Sequence, residues 1–225
     1  MKELKWIIHE IKMQWKNGLY ILYILVNLFY ILLLGYIPAM FKEMAATVLI
    51  ISDPTFVGMI FAGGIFLLER NQGIPKAIGI SPLGSIGYLL GKVISLVTIA
   101  LLTSLCLMKA GSIPMSAASI LSIIVTSSIF TCMGLMVGAY AKSLNHFIYL
   151  LVIVSIPLAL PLITYIFAPG FIGLIWVPTY ATIKLLRDLG GSSIRLLGYS
   201  LYLMLWLIAT GLLTKRVIEQ KVFVS

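Results

Sequence analysis

The chain has 225 residues, of which 61% are hydrophobic and 10% are charged, with a mean hydropathy of +1.11. These values lie outside the range that is usual for soluble globular domains. The apolar residues form blocks of about twenty residues, which is the length of a membrane-spanning helix, and they lack the ten-residue alternating segments of a β-barrel. The net charge of +9 comes mainly from Lys and Arg residues at the ends of these blocks, where they set membrane orientation, so we expect no nucleic-acid binding.

Residues 1–17 are predicted to form an amphipathic helix that lies in the headgroup layer of the bilayer. Trp6 and Met13 break the pattern because they project from its polar side, where they either contact a partner or pack loosely at the interface. The apolar stripe consists of Leu4, Ile7, Ile8, Ile11 and Trp15, and the opposite face carries Lys2, Lys5, Lys12 and Lys16.

Six transmembrane helices are predicted in residues 18–225, which we interpret as one all-α membrane domain. A short loop with Lys42 and Glu43 is expected after the first span, and Pro157 and Pro161 interrupt the fifth. The predicted spans cover approximately residues 19–37, 47–68, 86–108, 117–140, 147–167 and 194–213.

The distribution of basic residues predicts the orientation of these spans. With six spans, 11 of the 16 Lys and Arg residues fall on the side of the two termini and 5 on the other side. Because Lys and Arg are enriched in cytoplasmic loops, we expect both termini and the segment between the second and third spans to be cytoplasmic.

That segment, residues 69–84, is the longest interruption between two strongly apolar blocks. Its apolar residues between Ile74 and Ile80 have no membrane to enter, which suggests that they contact a separate protein. Glu69 and Arg70 either cap the second span in solvent or take part in that contact.

The whole pattern resembles the permeases of type-2 ATP-binding-cassette (ABC-2) exporters, which have six spans, cytoplasmic termini and an amphipathic amino-terminal helix. Their first cytoplasmic loop often reads Glu-Arg, Gly, a Ser-Pro-like turn and then Gly-Lys. The corresponding residues here are Glu69-Arg70, Gly73, Ser81-Pro82 and Gly91-Lys92. Small permeases paired with a separate ATPase, including bacterial drug and peptide exporters, are the most similar members.

The resemblance implies a bacterial plasma-membrane exporter with two permease copies, a homodimer rather than a heterodimer, each bound to a nucleotide-binding subunit. ATP and Mg would be bound by that subunit, because Gly87 to Val93 has the wrong glycine spacing for a P-loop and lacks its Ser or Thr. This chain would therefore not be an enzyme. Residues 69–84 would contain the coupling helix, with the ATPase contacted by Glu69, Arg70, Gly73, Ile74, Pro75, Lys76, Ile78, Ile80 and Ser81.

A substrate pathway between the two copies is implied along the second and fifth spans, and it would suit hydrophobic or amphipathic cargo such as drug-like molecules or peptides. Asp53, an acidic residue inside a predicted span, is a functional candidate, but Asp before Pro is also a common helix-start pair. The expected wall residues are Asp53, Phe56, Met59, Phe147 and Leu151.

Residues 168–193 are too apolar for a free loop and too broken for a span. They fit either an outer re-entrant segment that covers the exit route or an interfacial helix with Trp176 and Tyr180 in the headgroup layer. Two other functions also stay open for the whole chain, namely an ion-coupled secondary transporter or channel and a non-transporting membrane immunity protein.

Overall fold

All regular structure in the described part of the computed structural model is helical. The structure describes residues 2–79, 81, 83–168, 172–187 and 193–223, and only the backbone of residues 2, 3, 53–55, 193, 222 and 223. The α-helices are α1 (Lys2–Lys16), α2 (Leu19–Tyr36), α3 (Ala39–Ile50), α4 (Gly58–Asn71), α5 (Ile74–Gly79), α6 (Gly84–Ala110), α7 (Ala117–Tyr140), α8 (Leu144–Phe167), α9 (Pro178–Arg187) and α10 (Ser193–Ile218).

Five of the described helices are long and apolar enough to cross a bilayer, so the chain has the architecture of a multi-pass membrane protein. They are α2, α6, α7, α8 and α10, and they correspond to the first, third, fourth, fifth and sixth predicted spans. The two prolines expected to interrupt the fifth span, Pro157 and Pro161, lie inside α8 without ending it.

The second predicted span differs from the sequence prediction. Helix α3 already begins at Ala39 after Pro38, so Lys42 and Glu43 lie in a helix and the predicted loop is wrong. A π-helical stretch, Ile51–Val57, then separates α3 from α4. Because proline lacks an amide hydrogen and its ring clashes with an α-helical carbonyl, Pro54 is a physical cause for the break in α geometry.

Helix α7 is the centre of the bundle. It contacts α4, α6, α8, α9 and α10, and most of its residues are buried. Its start is well defined because Ser116 and Ser119 form a reciprocal capping box, in which each hydroxyl accepts a hydrogen bond from the other residue's backbone amide.

Helices α4 and α7 form the most extensive helix–helix contact, and glycines make it possible. An added Cβ at Gly134 would lie 2.2 Å from the Met59 carbonyl oxygen, and one at Gly138 would lie 2.6 Å from the Gly63 carbonyl oxygen. Gly134 and Gly138 therefore form a small-residue packing face on α7.

The peripheral helices α2, α8 and α10 expose large apolar side chains. Leu25 is 61% exposed, Ile156 is 57% exposed and Leu201 is 65% exposed. Apolar faces of this extent are not tolerated in water, but they suit contact with lipid hydrocarbon.

Helix α9 lies within the segment for which two interpretations were open. Seven of its ten residues are buried, and Thr182 shares a hydrogen bond of 2.7 Å with Thr126, which lies in the third turn of α7. Helix α9 therefore packs against α7, and both the re-entrant and the interfacial interpretation stay predictions. Residues 169–171 and 188–192 of the same segment lie outside the described residues.

Candidate functional site

Three ionisable side chains meet in the interior where α1, α4 and α6 come together. The Lys92 ammonium of α6 lies 2.8 Å from a carboxylate oxygen of Glu10 and also forms an ion pair with Glu69 at the end of α4. The Tyr88 hydroxyl donates a hydrogen bond of 2.6 Å to the second oxygen of Glu69. We refer to Glu10, Glu69, Tyr88 and Lys92 as the charge cluster.

Burial distinguishes the charge cluster from ordinary surface ion pairs. Glu10 and Lys92 are each 1% exposed, Tyr88 is fully buried and Glu69 is 5% exposed. Lys92 follows the first residue of α6, Gly84, by eight residues, which places it about 12 Å along the helix. A buried ion pair needs complete hydrogen bonding to offset its desolvation, and the tyrosine contributes to that here.

Helix α1 contacts α6 through a row of side chains that the apolar pattern of the sequence did not reveal. Trp6, Glu10 and Gln14 are spaced four residues apart and face α6. Gln14 donates a 2.7 Å hydrogen bond to the Ser95 hydroxyl, and an added Cβ at Gly91 would lie 2.4 Å from the Trp6 ring. The Trp6 side chain therefore packs against α6 of its own chain, where Gly91 leaves room for the ring.

The side chains of the predicted apolar stripe lie on another side of α1 and differ in exposure. Leu4, Ile8 and Trp15 are 62%, 45% and 55% exposed. Ile7 and Ile11 are half-buried. Helix α1 thus has one exposed apolar side and a second side, with Trp6, Glu10 and Gln14, that packs on α6; its position at the lipid interface stays a prediction.

The charge balance of the cluster affects protonation. Two carboxylates share one ammonium, and burial raises the pKa of the Glu10 carboxyl above its ordinary range. The nearby Lys92 charge opposes this rise, whereas the Glu69 carboxylate adds to it. Protonation of Glu10 would leave Glu69 and Lys92 as a neutral pair, and a protonated Glu10 can still accept a hydrogen bond from Lys92 through its carbonyl oxygen.

Arg70, the neighbour of Glu69, connects the end of α4 to the end of α7. Its guanidinium donates to the carbonyl oxygens of Gly138 at 3.3 Å and Ala139 at 2.8 Å, and also to that of Ala141. The last carbonyls of a helix lack intrahelical partners and carry partial negative charge, so a cation stabilises them. Arg70 is therefore a side-chain cap for α7.

The predicted coupling segment contains the short helix α5. Gly73, with φ of 74°, precedes it, and Gly84, with φ of 63°, begins α6; both angles favour glycine. Between them, the Ser81 hydroxyl donates to the Ile78 carbonyl at 2.7 Å and accepts from the Leu83 amide at 3.2 Å.

The exposed face of α5 is small and mainly polar. Pro75 is buried and Ile78 packs against the chain's own core, whereas Lys76 and Ala77 are exposed. Ile78 therefore has packing partners within its own chain, and its contact with a partner stays a prediction. Ile74 is half-buried, and Ile80 lies outside the described residues.

The carboxyl-terminal end of the chain supports α5. A π-helical stretch, Glu219–Phe223, continues α10 and contacts α5. The Ser85 hydroxyl donates a 2.6 Å hydrogen bond to Glu219, and the Lys221 ammonium lies 5.5 Å from the centre of the Tyr140 ring. We call this part of the molecule, where α1, α5 and the ends of α4, α7 and α10 meet, the α5 end.

The predicted partner-binding residues Glu69 and Arg70 thus have internal contacts. Their side chains connect α4 to α6 and α7, so an effect on a partner would act through the position of α5. Direct ATPase contact by the predicted residues stays a prediction.

Most of the predicted pathway residues are buried among other side chains of their own chain. Met59 is fully buried and Phe147 is 3% exposed, and Phe56 packs edge-to-face on Phe130 with ring centres 4.9 Å apart. Leu151 is half-buried, and the side chain of Asp53 lies outside the described residues. A pathway formed by two copies stays a prediction.

Sequence reasoning missed Glu10, Gln14, Tyr88 and Ser95 and treated Lys92 as a flanking topology signal. A usable signal was present, because Lys92 lies eight residues inside the helix start and Glu10 and Gln14 share one face of α1. Which acidic residue reaches Lys92 depends on how the helices pack, and the sequence alone leaves that undetermined.

No family model, curated protein or solved structure matches this chain significantly. Among the described residues, no group of three or more His, Cys, Asp or Glu side chains could hold a metal ion.

Proposed function

We propose that the chain is the permease subunit of an ATP-binding-cassette exporter and that a separate subunit supplies ATP hydrolysis. The observation that carries this proposal is α5, a short helix at one end of the bundle that is bounded by glycines and contacts α4, α6 and the stretch Glu219–Phe223 that continues α10. Such a helix can receive a push from a partner and pass it to membrane-spanning helices.

In this proposal the helical stretch Ala39–Asn71 is the second of six crossings, and the α5 end faces the cytoplasm of a bacterial cell. The charge distribution supports this orientation, because Lys and Arg accumulate on the cytoplasmic side. Two copies form the translocation pathway for a hydrophobic or amphipathic substrate, with α9 as a re-entrant element on the outer side.

The charge cluster supplies the stiffness that coupling requires. A force on α5 reaches Glu69 at the end of α4 and Lys92 in α6, which are joined directly to each other and through Lys92 to α1. The exposed residues Lys76 and Ala77 form the outward face of α5 that a partner would meet.

The test uses the exposed face of α5, because charge reversal of Glu69 or Arg70 would disrupt the chain's own packing. A photo-crosslinking amino acid at Ala77 should capture a P-loop ATPase in native membranes, and the purified complex should hydrolyse Mg-ATP. Lys76→Glu should weaken this complex, whereas Lys12→Glu on the exposed side of α1 should not.

Failure to capture an ATPase from Ala77, together with substrate movement that needs no ATP, would overturn the proposal. The charge cluster is the specific observation that favours the second candidate, an ion-coupled transporter, because such proteins use buried ionisable groups. In proteoliposomes without ATP, uptake driven by a pH gradient and lost in Glu10→Gln would support that alternative.

A further inference from the structure

Most of the exposed side chains of α1 fall into two rows with different chemistry. We call them the apolar row, which consists of Leu4, Ile8 and Trp15, and the basic row, which consists of Lys5, Lys12 and Lys16. Since an α-helix turns by about 100° per residue, each row covers an arc of about 40°. The two rows therefore form two separate, continuous stripes along the helix.

The basic row lies beside the apolar row. The centres of the two rows are about 80° apart around the helix, because the remaining side of α1 packs on α6 through Trp6, Glu10 and Gln14. If the apolar row meets the acyl chains of a bilayer, the lysines beside it lie at the level of the head groups. A basic row directly opposite to the apolar row would point into water instead.

The turn between α1 and α2 places this surface at the end of a membrane-spanning helix. Helix α1 ends at Lys16, and α2, which is long and apolar enough to cross a bilayer, begins at Leu19. Gly18, with φ of 76°, allows the chain to turn between them. Because only two residues separate the helices, the basic row lies close to the boundary of the hydrocarbon that α2 would cross.

The apolar row is also continuous with the exposed face of α2. The rings of Trp15 and Tyr20 contact each other with centres 5.4 Å apart. In the next turn of α2, Ile21 is 54% exposed and Leu22 is 46% exposed. The apolar surface thus extends from α2 onto α1 without a break, and the basic row borders it.

The lysines of the basic row have no carboxylate to balance them. Among the described residues, none of the three forms an ion pair. Glu10, the acidic side chain that the structure describes in α1, is 1% exposed and bound to Lys92. The exposed surface of α1 therefore presents three ammonium groups next to an apolar row that contains a tryptophan.

We propose that α1 recognises anionic phospholipids in the leaflet at the α5 end. The apolar row lies against the upper part of the acyl chains, and Lys5, Lys12 and Lys16 bind the phosphates of the head groups. The occupant is a lipid surface because an apolar row with a flanking basic row is the pattern of a helix that lies on an anionic membrane. This interaction is independent of an ATPase partner and of the exporter proposal.

Tryptophan fluorescence of the full chain in proteoliposomes tests the proposal. The chain has four tryptophans, and the quenching that is lost in Trp15→Phe belongs to the apolar row. Phosphatidylglycerol that is brominated near the head group, added as a minor component to phosphatidylcholine, should quench Trp15 with at least about fivefold higher apparent affinity than brominated phosphatidylcholine. A fivefold ratio corresponds to one lysine at an anionic surface.

Two triple variants form a matched pair with equal loss of charge. All six cations are exposed and lie at the α5 end, three of them in α1 and three outside it. The basic-row variant combines Lys5→Gln, Lys12→Gln and Lys16→Gln, and the control variant combines Lys76→Gln, Lys142→Gln and Arg216→Gln. The basic-row variant should quench equally with both lipids, whereas the control variant should keep the preference for phosphatidylglycerol.

Salt provides a further readout, because the preference should decrease as the Debye length falls from about 10 Å at 0.1 M to about 3 Å at 1 M ionic strength. Equal quenching of Trp15 by both lipids in the unsubstituted chain would overturn the proposal. So would an equal loss of preference in the two triple variants, which would assign the effect to net charge. Absence of quenching by either lipid would mean that protein covers α1, which also overturns it.

Discussion

The two ends of this molecule are held together by different physical means. At the α5 end, buried charges and a guanidinium cap connect helices whose polar groups have specific partners. At the opposite end, α8 and α10 pack on α7 and α9 around an apolar cavity lined by Pro157, Trp176 and Trp206. The ion pair between Arg187 and Glu43 at that end has a length of 3.3 Å and joins side chains that are 47% and 43% exposed. Charged hydrogen bonds are roughly twice as strong as the neutral ones, such as Thr126 with Thr182, that the opposite end contains. We therefore expect the α5 end to be the more rigid of the two.

The largest loss of stability is expected when the cation of the charge cluster is removed. Lys92→Met leaves two buried carboxylates facing each other, and we expect a loss of about 3–5 kcal/mol of unfolding free energy. Denaturation of the purified protein in detergent would measure it, with Lys12→Met as a control in a solvated position. Adding Glu10→Gln and Glu69→Gln to Lys92→Met should restore part of the stability; equal stability of Lys92→Met and Lys12→Met would contradict the assigned role.

The next test separates α4 from α7, the contact on which both ends depend. Gly134→Ala puts a methyl group against the Met59 carbonyl and should cost about 1–3 kcal/mol. Gly64→Ala, on α4 but with open space around the new Cβ, should be neutral or stabilising by up to about 1 kcal/mol because alanine favours a helix. If the two variants unfolded at the same denaturant concentration, the close approach of the two helices would be disproved.

A smaller effect is expected at the Arg70 cap. Arg70→Gln removes donors from the last carbonyls of α7 and should cost about 1 kcal/mol, because the side chain is only partly buried. Hydrogen exchange should become faster in the last turn of α7. Arg187→Gln at the opposite end should change stability by less than about 0.5 kcal/mol, as for most exposed ion pairs, and an equal effect of both variants would remove the contrast between the two ends.

The smallest expected effect is a pH dependence at the cluster. Because the pKa of Glu10 is raised in the folded chain, the folded state binds more protons than the unfolded state above the ordinary carboxyl value of about 4.3. Stability should therefore fall as pH rises through the window between that value and the raised one. His9, Glu69 and Lys92 also act on Glu10.

Glu10→Gln should flatten this dependence, as measured by thermal unfolding in detergent from about pH 4 to about pH 8. Glu43→Gln, in an exposed pair, is the matched control and should leave the slope unchanged. A wild-type slope that persists in Glu10→Gln would assign the effect to another group.

The sequence was sufficient where local rules dominate. The span Ala117–Tyr140 was predicted with the bounds that the structure shows for α7, because the apolar run there is continuous and ends at polar turns. The spacing of Gly134 and Gly138 on one face of α7 can likewise be read from that helix alone, whereas the surface of α4 that packs against them cannot.

Elsewhere the outcome depends on contacts between distant parts of the chain. The π-helical stretch Ile51–Val57 interrupts what hydropathy alone would join into one span. The partnership of Glu10 with Lys92 connects residues 82 positions apart, and no local pattern specifies it. The cavity lined by Pro157, Trp176 and Trp206 likewise requires the packing of α8 and α10 on α7.

The distance along the chain between Glu10 and Lys92 has a consequence for biosynthesis. At elongation rates of about 5–20 residues per second, Glu10 is made roughly 4–16 seconds before Lys92, and Glu69 also precedes it. Until α6 is synthesised, the Glu10 carboxyl group of α1 therefore lacks the Lys92 partner that it has in the folded chain. The nascent lysine, in contrast, finds both acceptors already synthesised, so the most costly charge in α6 enters the membrane only after its partners exist.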